Sequence, residues 1–313
     1  MTFSELLTKT ICNKKNPVMV GLDPRFDWIP QAIRRNTDPK NIEQVAEVFW
    51  EFCREVIDIV APLVPAIKIQ AAFFEQYGVP GMSVLRRLIN YIRDEKSLVI
   101  VFDGKRNDIG STAEAYAAGI LGKNSAWGAD ALTVSPYLGD DSLKPFVKTA
   151  VEQNAGIFVL VKTSNAGGAM LQDLAVDGKT VYRRVAEYVQ QLSLSSCSES
   201  ERYGNIGAVV GATWSEQLAE LREVMPNTWF LVPGFGSQGG SAKDVEAAFD
   251  ENGLGAVINN SRGIIFAYRR EPFQKTFGET KWQQAVEAAT IQMIEQLRAE
   301  TSAEKLNATV RAE

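Results

Sequence analysis

The chain has 313 residues, 45% hydrophobic and 23% charged, a composition of water-soluble globular proteins and long enough for a large core. Its net charge of -5, without any Lys/Arg block, argues against a nucleic-acid-binding surface. There is no histidine, which excludes any imidazole base or histidine metal ligand and leaves acid–base work to Lys, Asp, Glu, Tyr or Cys.

In chain order, a helix over about Ser4–Cys12 precedes a strand, Pro17–Leu22, that runs into Asp23, Pro24 and Arg25. A long amphipathic helix, Asn41–Val60, leads to a short strand, Ala66–Gln70, with Lys68 near its end. A helix over Gly81–Arg93 is followed by the unbroken apolar run Leu98–Phe102, of the kind buried on both faces of a parallel sheet. Thr112–Leu121 is predicted helical, Ala129–Val134 a fourth strand ending at Ser135, Asp141–Gln153 a helix, and Gly156–Val161 a fifth strand leading into Lys162, Thr163, Ser164 and Asn165. A longer connection, about residues 165–205, contains a helix over Val181–Leu192 and a polar run, Ser193–Tyr203, that reads as an exposed loop. Strand six is Ile206–Val210, then a helix Trp214–Val224, strand seven Thr228–Val232, a Gly-rich loop PGFGSQGG (Pro233–Gly240), a helix Ser241–Phe249 and strand eight, Leu254–Ile258, ending in NNSRG. The last helix covers Lys281–Ala299, and residues 301–313 read as a polar tail.

Eight apolar strands alternating with helices imply parallel pairing through right-handed crossovers, and eight is the number that closes a (β/α)8 TIM barrel. The alternative is a doubly wound open sheet. No shift in composition marks a second domain, so residues 1–300 are read as one barrel. The three cysteines, Cys12, Cys53 and Cys197, are scattered without CxxC spacing and imply neither a disulfide framework nor a zinc site. The N-terminal segment lacks the apolar region of a signal peptide and no apolar run approaches membrane-spanning length, so the cytoplasm is the expected compartment and no membrane partner is expected.

In such a barrel the active site lies at the C-terminal strand ends. Those ends offer Asp23, Lys68, Asp103 with Lys105, Ser135, Thr163 with Ser164, Pro233 with its glycines, and Ser261 with Arg262. The stretch LVIVFDGKRNDIGST (Leu98–Thr112) stands out because it delivers Asp103, Lys105 and Asp108 within six positions. Residues i and i+2 of a strand project the same way, so Asp103 and Lys105 should lie side by side. A lysine flanked by carboxylates stays an ammonium, a poor Schiff-base nucleophile but a good proton donor and electrostatic partner for a developing carbanion. Ammonium groups between the carboxylates would compete with a cation, so no metal is expected. After strand seven, Gly234, Gly236, Gly239 and Gly240 let backbone N–H groups approach an anion, the helix starting near Ser241 adds its N-terminal partial charge, and Arg262 can grip phosphate oxygens. The expected small-molecule substrate is therefore a phosphate monoester. There is no GxxxxGK[ST] phosphate loop.

The motif D-x-K-x-x-D-I, here Asp103, Lys105, Asp108 and Ile109, resembles that of the orotidine 5'-phosphate decarboxylases. The resemblance covers essentially the whole chain. Sugar-phosphate relatives such as 3-keto-gulonate-phosphate decarboxylase and hexulose-phosphate synthase share the motif. The TSN segment (Thr163–Asn165), the PGFGSQGG loop and Arg262 favour the pyrimidine enzyme, and the DGKRNDIGST form resembles its type 2 branch. The resemblance implies cofactor-independent conversion of orotidine 5'-phosphate (OMP) to UMP in de novo pyrimidine synthesis. Lys105 would donate the proton that replaces CO2 at C6, Asp103 would lie beside the scissile carboxylate, Lys68 would link the ribose hydroxyls to the charge network, and Asp23 would bind ribose. The resemblance also implies a homodimer in which Asp108 and Thr112 reach into the partner's site, with Ile109 among the substrate-binding positions. Ser164 would read the pyrimidine edge, Pro233 line the base pocket, Gln238 close over base and phosphate, and Arg262 hold the phosphate.

Overall fold

The structure, a computed structural model, describes residues 1–198, 201–236 and 239–307. Eight parallel strands, β1 (Val18–Leu22), β2 (Ala66–Gln70), β3 (Val99–Arg106), β4 (Ala131–Val134), β5 (Gly156–Lys162), β6 (Ile206–Val210), β7 (Phe230–Val232) and β8 (Ala256–Asn260), close into a barrel in the order β1-β8-β7-β6-β5-β4-β3-β2. This is the (β/α)8 barrel the strand count implies, not the open sheet.

The strands are apolar on both sides because each face is covered. Outward residues such as Val18, Ile67, Ile100 and Ile258 join the helices in one continuous core. The long helix Ile42–Val60 shows how: Asn41 caps it by accepting the Gln44 N–H at 3.0 Å, and Phe49, Phe52, Val56 and Val60 point inward at helical spacing. Inward residues such as Met19, Val101, Phe158 and Val257 form a second cluster inside the barrel.

The N-terminal helix (Phe3–Lys14) seals one end of that cluster. Thr2 and Glu5 form a capping box at its start, and Phe3, Leu7 and Ile11 enter the barrel floor. Phe3 meets the Phe158 ring edge-on at 5.8 Å, and the Trp229 Nε1–H donates to Ser4 Oγ at 2.9 Å. Gly156 leaves room for the plug, since a Cβ there would lie 2.3 Å from the Phe3 ring. Burying three such side chains stabilises the floor by about 1.5–3 kcal/mol each. With the N-terminal end of the barrel plugged, its C-terminal mouth is the open one.

Four segments differ from the sequence reading. The helix expected over Ser241–Phe249 is one turn, Ala242–Val245, followed by a 3-10 turn, Glu246–Ala248. The polar run after Leu192 begins with helix, which continues to Ser195, and residues 199–200 lie outside the described part. The connection after β5 holds a 3-10 turn (Ala166–Gly168), a short helix (Ala169–Gln172) and a two-stranded hairpin (Ala175–Val176 with Lys179–Thr180) before the helix Val181–Ser195. Residues Ser302–Asn307 form a 3-10 helix whose Ala303 and Leu306 pack into the floor cluster, so the described part of the polar tail is anchored by two apolar residues.

Candidate active site

A cavity of about 390 Å3 opens at the C-terminal mouth. Its wall brings together most of the strand-end residues singled out from sequence: Asp23, Lys68, Asp103, Lys105, Thr163, Ser164, Pro233, Gly234, Ser261 and Arg262. They come from β1, β2, β3, β5, β7 and β8 or the turns just after them, which is how a barrel assembles one site from distant chain positions.

Asp103 is at the centre. It is buried, and its carboxylate accepts four hydrogen bonds. Lys68 Nζ at 2.7 Å and Gln70 Nε2 at 3.0 Å donate to Oδ2, while Lys105 Nζ at 2.7 Å and Thr133 Oγ1 at 2.8 Å donate to Oδ1. Burial by itself would push the carboxyl up, but the Lys68 and Lys105 ammoniums prevail and hold it well below the usual carboxylate range. Lys68 is only 4% exposed. Desolvation works against its charge, yet Asp103 beside it and Asp23, whose Oδ1 lies 3.9 Å away, raise its pKa above the ordinary lysine value. The two lysines differ in setting: Lys68 closes the inner side of the carboxylate, whereas the Lys105 side chain is 46% exposed and faces the opening.

The chain reaches this arrangement by breaking strand regularity. Phe102 pairs with Leu132 and Arg106 with Val134, so four steps along β3 match two along β4. Lys105, in the middle of this bulge, takes a left-handed backbone (φ 44), which disfavours a non-glycine residue by about 1–2 kcal/mol. Three contacts hold it. The Lys105 N–H donates to Thr133 Oγ1 at 3.0 Å, the Arg106 guanidinium donates to the Gly104 carbonyl at 2.9 Å, and Arg106 also pairs with Glu75. Asp103 and Lys105 thus do meet, through a bulge rather than through plain alternation.

Asp108, Ile109 and Thr112 lie outside this cavity. Asp108 accepts the Ile109 N–H at 2.9 Å, and Ile109 and Thr112 are exposed at the start of the helix Gly110–Ile120. Gln238 lies outside the described residues. Ser135 lines a neighbouring groove, and Thr133, two residues earlier on β4, supplies the hydroxyl in the site. Asn165 of the TSN segment also lines the cavity, as do Gln70, Thr133, Asn259 and Asn260, which were not singled out. Strand parity was the available signal for Gln70, which shares the Lys68 face of β2.

The glycine loop adopts the backbone its composition permits, with Gly234, Gly236 and Gly239 at positive φ. The N–H groups of Gly236, Gly239 and Gly240, however, donate to the carbonyls of Gly240, Gly236 and Gly234. The expected amide cradle is therefore largely closed on itself, and Gly234 is the member that lines the cavity. At the one-turn helix that follows, the Asp244 carboxylate caps Ser241, so the terminus has an internal anion. Arg262 remains as the cavity's outer cation, without an ion-pair partner among the described residues. Two acceptors in the wall, Asp23 Oδ1 and Asn259 Oδ1, are buried without a hydrogen-bond partner among those residues, which suits a ligand bearing hydroxyl donors.

A parallel barrel carrying a carboxylate clasped between two lysines at its open mouth has the groups that an acid–base barrel enzyme needs. The sequence model of the orotidine 5'-phosphate decarboxylase / HUMPS family matches residues 16–272. A Rhodopirellula baltica protein named orotidine 5'-phosphate decarboxylase is 55% identical over 302 residues, covering 95% of this chain and 99% of the relative. One of the same name from Caldicellulosiruptor bescii is 42% identical over 279 residues, 86% of this chain and 91% of the relative. The solved structure of Leishmania donovani OMP decarboxylase superposes with a TM-score of 0.74 at 32% identity, covering 96% of this chain and 99% of that one. The chain belongs to the orotidine 5'-phosphate decarboxylase / HUMPS family.

Proposed function

We propose that this chain converts OMP to UMP without a cofactor, with Lys105 as the proton donor to C6 and Asp103, Lys68 and Asp108 as the charge network. The carboxy-lyase activity follows from the family match and the named relatives. The residue roles rest on one observation above the others: Lys105 Nζ is held 2.7 Å from Asp103 Oδ1 on the open side of a cavity that Lys68 closes from within.

Decarboxylation breaks the C6–carboxylate bond and leaves the electron pair on an sp2 carbon with no adjacent carbonyl to accept it. A fixed ammonium stabilises that pair and then protonates it, and solvent returns the proton to the lysine. Asp103 keeps the ammonium in place and repels the substrate carboxylate, a repulsion that ends when CO2 forms. The Asp23 and Asn259 oxygens left without hydrogen-bond partners suit the ribose hydroxyls, with Lys68 joining that side to the network. Ser164 reads the pyrimidine edge, Pro233 lines the base pocket, and Arg262 takes the phosphate, whose binding energy positions the reacting base. By the family resemblance, Gln238 closes over base and phosphate. Asp108, Ile109 and Thr112, which do not line the cavity of their own chain, act in the partner's site of a homodimer.

The test is to add OMP to EDTA-treated, metal-free protein and follow absorbance. Rapid conversion to UMP supports reaction, substrate and cofactor independence together. No conversion by folded protein, or turnover confined to keto-sugar phosphates with Mg2+, would move the chain to the sugar-phosphate branch.

A further inference from the structure

The connection between β5 and the helix starting at Val181 spans residues 163–180, far longer than the usual two to six residues of such loops. Its short helix turns back onto the cavity wall. The Gln172 side chain makes a two-point pair with Thr163: the Thr163 N–H donates to Oε1 at 3.0 Å and Nε2 donates to Thr163 Oγ1 at 2.8 Å. Next to it, Asp173 pairs with the Lys162 ammonium, which is 1% exposed and lies 4.7 Å from the Trp214 ring centroid and 5.3 Å from that of Tyr182.

From the other side, Trp214 Nε1–H donates to the Thr163 carbonyl at 2.9 Å and Thr213 Oγ1–H to the Ser164 carbonyl at 3.1 Å. Gly211 packs so closely that a Cβ there would lie 2.7 Å from Ser164 Cα. Both backbone polar groups of Thr163 and the carbonyl of Ser164 are thereby fixed, the Thr163 N–H from within the connection by Gln172 and the two carbonyls from outside it by Trp214 and Thr213. The Ser164 side chain is left to the cavity that Ser164 lines.

We propose that the insertion is a clamp and that Gln172 is a positioning residue, setting the location of Ser164 for recognition of the substrate base. The inference rests on the role given to Ser164 above. The clamp acts on the base end of the ligand; Arg262, on the turn after β8, is held independently of it.

The experiment compares wild type, Gln172→Leu and Gln172→Glu by calorimetric binding of UMP and of ribose 5-phosphate, which lacks the base. Leucine removes both hydrogen bonds, and the expected result is a UMP Kd raised about tenfold or more with ribose 5-phosphate changed less than about twofold. Glutamate can accept from both the Thr163 N–H and its hydroxyl, and restores UMP affinity to near wild type. UMP affinity unchanged in Gln172→Leu, or UMP and ribose 5-phosphate weakened equally, overturns the clamp. If the wild type itself binds UMP no better than ribose 5-phosphate, base recognition fails at its root, an outcome visible before any variant is made.

Discussion

Thr133 is the most informative perturbation that leaves every charged residue in place. It is 1% exposed, donates to Asp103 Oδ1 at 2.8 Å and accepts the Lys105 N–H at 3.0 Å, so one hydroxyl ties the carboxylate to the left-handed lysine. Thr133→Val keeps the shape and removes both bonds. A hydrogen bond to a charged acceptor contributes about 1.5–3 kcal/mol, and an unsatisfied amide costs about 1–3 kcal/mol if it stays dry. The Lys105 side of the bulge is open to water, which relieves the second penalty, so the first dominates. Expressed in the transition state it lowers kcat on the order of 10- to 100-fold, at about 1.4 kcal/mol per factor of ten. Steady-state OMP turnover measures it, UMP binding should change little, and Thr133→Ser should recover most of the loss. A folded Thr133→Val enzyme with kcat within about twofold of wild type would refute the idea that the bulge positions Lys105 through this hydroxyl.

Arg262→Ala should raise the UMP Kd by about 10- to 100-fold, from the loss of charge-assisted bonds, while uridine affinity stays the same; equal losses for both ligands would misplace the phosphate. Away from the mouth, Asp130 accepts the Ile100 N–H at 2.8 Å, and burial pushes its carboxyl up to about 6 against the opposing pull of that bond, Lys123 and Arg93. Its native form therefore holds a proton that the unfolded chain releases near pH 3.9, so stability falls as pH rises from about 4 to 6 and the penalty is complete above that. Asp130→Asn should raise Tm at pH 7 and lose that gain by pH 4, and a gain independent of pH would contradict the assignment. For the shared site, Lys105→Ala and Asp108→Asn chains mixed and reassembled should recover about a quarter of wild-type activity from two nearly inactive parents, because each mixed two-fold dimer contains one intact site. Recovery of none would place Asp108 outside the partner's site.

The barrel was legible because burial on both faces writes a continuous apolar run, and Ala66–Gln70 and Ile206–Val210 fall where their residues predict. The Asp103–Lys105 meeting was legible too, but its route was not. The φ of Lys105 is set by Thr133, Arg106 and Glu75, residues up to 30 positions away, and no local pattern encodes that. Strand ends were judged by where apolar runs stop, which selects Ser135; the cavity selects by which side of the pleat faces in, which gives Thr133 and Gln70. The glycine loop shows the converse limit. Its composition announces unusual backbone, yet whether the freed N–H groups face a ligand or each other is decided by the loop's own closure. Asp108 and Ile109 of the family motif, and Thr112 after it, stand outside their own chain's cavity, a placement that a single sequence does not encode.

The most direct test of the central claim is Lys105→Ala, assayed for OMP turnover and UMP affinity on the same preparation. The account predicts that turnover falls by at least about 1000-fold while UMP binds nearly as before, since the lysine is needed for the proton and the carbanion and not for the product. Near-normal turnover by the variant would contradict it and remove Lys105 as the proton donor.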